Sequence, residues 1–184
     1  MRIGVFDSGV GGLTVLKSLL FALPGHEFIY LGDTARVPYG IRSPEIIRQY
    51  ALEDSLFLLE KNVDLIVVAC NTASAHAADF LKKTLKVPVI DVIGPGAQTA
   101  VKVTKSGCVG IIGTLGTLQS KVYEKEIARL NPQIKCHPQA TPLFVPLVEE
   151  GIEDSRVLSP VLAHYLTGLV NHRIDTLILG CTHY

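Results

Sequence analysis

Two cysteines stand at matching places in this chain. Asp64-Leu-Ile-Val-Val-Ala-Cys70-Asn71-Thr72 and Asp175-Thr-Leu-Ile-Leu-Gly-Cys181-Thr182-His183 each give an acidic residue, a short apolar run and a cysteine. Each run suits a strand buried on both faces. Beyond Cys70 the Ala-rich segment can be helical, with Asn71 and Thr72 able to cap it. A thiol there lies near unpaired N–H groups at the positive end of a helix, which favours the reactive thiolate. A single cysteine at a strand end is more often a small buried hydrophobe. The second copy moves the balance toward chemistry.

Two thiols on facing walls of a cleft have few uses. A disulfide would seal the cleft. A zinc site from Cys70, Cys181 and His183 has no evident fourth ligand. Paired general acid and base remains: one thiolate takes a proton from a tetrahedral carbon, and the other thiol delivers one to the opposite face. The result is inversion, that is, racemisation or epimerisation. His183 lies two residues from Cys181, on the same face if the strand continues, and could exchange protons with it. Asp7 ends a first strand and could serve Cys70, though an aspartate in Asp7-Ser8-Gly9 is as often a turn residue. Ser8, Asn71, Thr72, Thr114, Thr117 and Thr182 offer donors for a carboxylate. Lys82, Lys83 and Lys86 lie on the far half of a helix, poorly placed for a Schiff base. The glycines 9, 11 and 12 resemble a phosphate loop, but no lysine follows them. Plainer readings stand beside others: Asp33 as a cap, Tyr39 as loop packing, Glu149 and Glu150 as a solvated pair, His76 as surface. Cys108 and Cys136 read as inert.

The elements that would hold these residues alternate. Strands are expected at Ile3–Phe6, Glu27–Leu31, Leu65–Ala69 and Val87–Ile93, then Cys108–Ile112, Pro138–Phe144 and the run to Cys181. Helices are expected between them, one with Leu13, Leu16, Leu19 and Leu20 on a face. Another opens at Ser43-Pro44 with Ile46, Ile47, Tyr50 and Phe57 as its stripe, and a late one opens at Ser159-Pro160. This is α/β: two similar parallel-sheet, doubly wound, Rossmann-like domains over residues 1–94 and 95–184, related by a degenerate repeat. Strand carboxyl ends of both would face a shared cleft.

Bulk properties limit the classes. Seventeen basic and seventeen acidic residues cancel, with no basic run, so nucleic acid is not an expected partner. Mean hydropathy is +0.35, yet no apolar run reaches the roughly 20 residues of a membrane helix. Four scattered cysteines without CxxC spacing point to the cytoplasm, as does a first strand that begins at once, without a signal peptide.

Phe6-Asp-Ser-Gly-Val-Gly-Gly12, Gly32-Asp33, Val37-Pro-Tyr-Gly40, Ala69-Cys-Asn-Thr-Ala-Ser74 and Leu179-Gly-Cys-Thr-His183 together resemble the bacterial glutamate racemases of the aspartate/glutamate racemase family. The resemblance runs the whole length of the chain. It implies cofactor-independent, metal-free exchange between L- and D-glutamate, with D-glutamate supplied to peptidoglycan synthesis. It implies that Cys70 acts on D-glutamate with Asp7, and that Cys181 acts on L-glutamate with His183. Ser8, Pro38, Tyr39, Gly40, Asn71, Thr72, Thr114, Thr117 and Thr182 would line the substrate pocket. Asp33 and Glu149 would be accessory acids, Glu149 being preferred to Glu150 on spacing. A homodimer is compatible with this reading. Family members continue past Cys-Thr-His, so the chain is expected to lack a C-terminal portion. Two alternatives stand: a racemase for aspartate or another acidic amino acid, and a non-catalytic α/β binding module.

Overall fold

The computed structural model describes residues 1–184. They form two compact units, Met1–Val92 and Ile93–Tyr184. The first runs β1 (Arg2–Asp7), α1 (Leu13–Ala22), β2 (Glu27–Gly32), a 3-10 turn (Tyr39–Ile41), α2 (Pro44–Glu60), β3 (Leu65–Val68), α3 (Asn71–Thr84) and β4 (Val89–Asp91). Its sheet is parallel throughout, in the order β2-β1-β3-β4. The second runs α4 (Ile93–Val103), β5 (Cys108–Gly113), α5 (Leu115–Gln119), α6 (Val122–Leu130), β6 (Lys135–Ala140), α7 (Phe144–Glu149), α8 (Ser155–Asn171) and β7 (Thr176–Gly180). Its parallel sheet has the order β6-β5-β7. The strands β1, β2 and β3 thus hold the places of β5, β6 and β7, and the repeat seen in the sequence is a repeat of topology.

Burial explains the first sheet. Phe6, Ile66 and Val68 pack under Ile47, Ala51 and Leu58 of α2 and Ala77 and Leu81 of α3. The alternate strand residues Ile3, Val5, Val67 and Ala69 meet Val15, Leu16 and Leu19 of α1 on the other face. In the second unit Val109, Ile111 and Ile178 pack with Ala97, Tyr123 and Ile127. No helix is long and apolar enough to cross a membrane.

The acids of the repeated motif prove to be clamps. Asp64 Oδ2 accepts the Arg2 N–H at 2.7 Å. Asp175 accepts the Lys105 and Ser106 N–H groups at 2.7 and 2.6 Å and the Thr104 hydroxyl at 2.6 Å. Each pins the chain where it enters or approaches the central strand of its sheet.

Several boundaries differ from expectation. Ser43 and Pro44 open α2 as read, with Ser43 Oγ accepting the Ile46 N–H at 3.4 Å. The buried stripe of α2 is Ile47, Ala51, Asp54, Ser55 and Leu58, whereas Ile46 and Phe57 face outward. α4 takes in Gly94-Pro95-Gly96, since a proline in a first turn costs no hydrogen bond. The units therefore part after Val92, and a division after residue 94 would fall inside that helix. α8 starts at Ser155 because Asp154 caps it, accepting the Arg156 N–H at 2.8 Å, and Pro160 lies within the helix. β6 spans Lys135–Ala140 with Pro138 inside it, which an edge strand tolerates.

Candidate active site

Register brings the first set of residues together. Asp7 pairs with Gly32 and Phe6 with Val68, so the carboxyl ends of β1, β2 and β3 lie side by side. Asp7, Asp33 and Cys70 stand at that edge, where the chain winds to either side of β1. Asp7 is fully buried. Its Oδ2 accepts the N–H groups of Gly9 at 3.0 Å and Gly12 at 3.1 Å. Tyr30 supports the same turn by donating its hydroxyl to the Gly9 carbonyl at 2.7 Å. Burial, and then the charges of Asp7 and Cys70, hold the Tyr30 hydroxyl well above its ordinary range.

Cys70 itself caps α3. Its Sγ accepts the Ala73 N–H at 3.4 Å, while Asn71 and Thr72 are the first helical residues rather than caps. Ser74 locks the turn by donating to the Val68 carbonyl at 3.0 Å. Burial first, then the Asp7 charge, pushes the Cys70 thiol up to about 11; hydrogen bonds from Ala73 and Ser8 pull the other way. The helix end therefore does not make a thiolate of Cys70 at neutral pH, contrary to what its position suggested. Desolvation outweighs the dipole.

This shift has a stability consequence. A thiol whose folded value is raised stabilises the fold fully below its ordinary value near 9, and that contribution is lost as pH rises toward about 11. Thermal melts at increasing alkaline pH should fall more steeply for the native chain than for Cys70→Ala. Parallel slopes would show that Cys70 does not titrate as described.

The Pro38-Tyr39-Gly40 segment packs against α3, and Tyr39 shares one core with Phe6, Cys70 and Ala73. The Tyr39 hydroxyl is committed: it donates toward Asp33 Oδ2 and toward Asp54 Oδ2 at 2.9 Å. Polar contact from this segment to a small molecule would have to run through its backbone.

In the second unit Thr114 follows β5 and caps α5. Its Oγ1 accepts the Thr117 N–H at 3.2 Å and lies 3.0 Å from the Thr117 hydroxyl. Cys181 follows β7, with Sγ 3.6 Å from His183 Nδ1. His183 Nε2 lies 2.9 Å from Glu149 Oε1, an ion-pair approach whose direction falls short of a hydrogen bond. Glu149, His183 and Cys181 thus form a line of proton carriers, with Glu149 at its exposed end. Beside them the Tyr184 and Thr141 hydroxyls meet at 2.6 Å. No three His, Cys, Asp or Glu side chains gather in an arrangement suited to a metal ion.

Sequence reasoning passed over Tyr30, Arg36, Asp54 and Thr141. For Asp54 a signal existed: it falls in register with Ile47, Ala51 and Leu58, an acid on a helix's buried face. Tyr30, on a strand of aromatic and aliphatic residues, gave none.

Comparison with known proteins gives one consistent result. The family described as Asp/Glu/Hydantoin racemase matches residues 4–184. A glutamate racemase of Geobacter metallireducens is 56% identical over 182 residues, which is 99% of this chain and 67% of that relative. The crystal structure of a glutamate racemase isoform from Bacillus anthracis superposes with a TM-score of 0.95 at 46% identity, over 100% of this chain and 69% of that one. The glutamate racemase of Francisella tularensis, solved in complex with D-glutamate, superposes at 0.92 with 41% identity, over 100% and 69%.

Proposed function

Because the chain belongs to the Asp/Glu/Hydantoin racemase family, we propose that it interconverts L- and D-glutamate by moving the α-proton between two thiols, without a cofactor. The observation that carries this reading is the pair of matched cysteines at the ends of β3 and β7, each beside its own acid–base partner. Inversion requires a proton to leave one face of the α-carbon and another to arrive at the opposite face. Cys70, assisted by Asp7, acts on D-glutamate, and Cys181, assisted by His183, acts on L-glutamate.

The free thiol at Cys70 is neutral, and the substrate supplies what would ionise it. An α-ammonium group beside the sulfur offsets the Asp7 charge and favours the thiolate. At Cys181 the proton has a shorter route. His183 Nδ1 faces the sulfur and takes the proton, with Glu149 Oε1 standing 2.9 Å from Nε2 on the far side of the ring. Ser8, Asn71, Thr72, Thr114, Thr117 and Thr182 supply donors to the carboxylates, and Pro38, Tyr39 and Gly40 supply wall and backbone. Asp33 acts at one remove, through Tyr39. All four cysteines are free, in keeping with a reducing cytoplasm, and the D-glutamate would feed peptidoglycan synthesis. A homodimer is compatible with the reading.

Turnover of L-glutamate in heavy water, with nothing added, tests it. Early D-glutamate should carry a solvent deuteron at the α-carbon while the remaining L-glutamate carries little. Deuterium appearing equally in both pools would mean one base, and dependence on pyridoxal phosphate or a metal would remove the mechanism.

A further inference from the structure

We propose that Asp54 and Arg36 are positioning residues of this reaction, which with Asp33 hold the Tyr39 hydroxyl and so fix the Pro38-Tyr39-Gly40 segment against the helix that Cys70 caps. The inference rests on the functional reading above and deepens it. Tyr39 is 1% exposed and Asp54 is 3% exposed. One phenolic proton is aimed at two carboxylates, Asp33 Oδ2 and Asp54 Oδ2. Arg36 joins them: Nε donates to Asp33 Oδ2 at 2.6 Å, Nη2 to Asp54 Oδ1 at 2.8 Å, and Nη1 to Glu53 Oε2. The Tyr50 ring backs the guanidinium, whose carbon lies 4.2 Å from the ring centroid, and packs 5.6 Å from the Tyr39 ring.

Every charged or titratable group facing Asp54 is in that set. Asp33 comes from the end of β2, Arg36 and Tyr39 from the loop and turn that follow, and Glu53 and Tyr50 from α2. An apolar residue in the stripe of α2 would pack there without the cost of a buried acid. What the acid adds is direction, because a carboxylate fixes where the Tyr39 ring points. The turn carrying Gly40 must then follow. Burial, reinforced by Asp33, pushes the Asp54 carboxyl up to about 6, with Tyr39 and Arg36 opposing. Below about 6 the protonated acid no longer balances Arg36, and the hold on Tyr39 slackens.

The test uses the whole chain as wild type, Asp54→Asn and Tyr39→Phe, each checked for cooperative melting. The backbone amide signal of Gly40 in the wild type should shift as pH passes through about 6, and Asp54→Asn should lose that step. Both variants should raise KM for glutamate about 10-fold with kcat nearly unchanged, the mark of lost uniform binding. A Gly40 signal flat through that range would overturn the proposal. So would an unchanged KM in folded Asp54→Asn and Tyr39→Phe. A wild-type chain that shows the Gly40 step but does not racemise glutamate refutes the functional reading instead, since the step is read without turnover.

Discussion

Cys70→Ser and Cys181→Ser are each expected to lower racemisation by about 100- to 10,000-fold, the range in which a positioned acid or base contributes. Serine suits the purpose at position 70 because its hydroxyl can still cap α3, where the sulfur now accepts the Ala73 N–H. A loss of rate then reports the proton carrier rather than a frayed helix. The variants should also separate the two directions. Without Cys70 the protein keeps Cys181 and His183, so L-glutamate should still exchange its α-proton for solvent deuterium without inverting. Without Cys181 the same should hold for D-glutamate. Proton resonance of the α-position in heavy water reads both. The reverse pattern would exchange the two roles, and normal turnover by either variant would end the two-thiol mechanism.

Gly12→Ala should damage the site through Asp7. A Cβ at residue 12 would lie 2.5 Å from Asp7 Cβ, 2.9 Å from Asp7 Cγ and 2.9 Å from the Tyr30 hydroxyl. The glycine backbone is ordinary there, with φ of −61°, so the constraint is space alone. Asp7 lies in a buried strand and cannot retreat freely, so overpacking should cost about 1–3 kcal/mol. Moving its carboxylate by about 1 Å should cost on the order of 100-fold in turnover. Denaturant melts and racemisation rates measured together check this. Gly25→Ala is the contrast for space: nothing lies within 4 Å of its Cβ, although its φ of +88° brings backbone strain of its own. Native turnover by Gly12→Ala would show that the Asp7 carboxylate need not sit where it does.

Much of this arrangement is legible in the sequence. Cys70 and Cys181 are matched by their strands, and sheet order bears out that match as β3 and β7. Ser43-Pro44 announced a helix through the chemistry of its cap. Where reading fell short, tertiary packing had chosen between local options. The expected stripe on α2 joined Ile46, Ile47, Tyr50 and Phe57, but the sheet took Ile47 together with Ala51 and Leu58 and left Ile46 and Phe57 outside. Asp54 travelled with that choice, so the network around Tyr39 was hidden by the wrong face. Pro138 and Pro160 look like breakers, but one sits on an edge strand and the other inside a helix started earlier by Asp154. The ionisation of Cys70 depended on its depth of burial and on Asp7, neither of which spacing reveals.

The sulfur of Cys70 is at once a reagent and the first link of a helix. A thiolate accepts a stronger hydrogen bond than a thiol, so each arrival or departure of the proton tightens or relaxes the opening turn of α3. Asn71 and Thr72 lie in that turn. Their backbone amides should therefore exchange with solvent at rates that follow the state of the sulfur, and covalent capping of Cys70 should leave the turn frayed. The start of α3 acts as a gauge for the chemistry, readable in a spectrum without following the substrate at all.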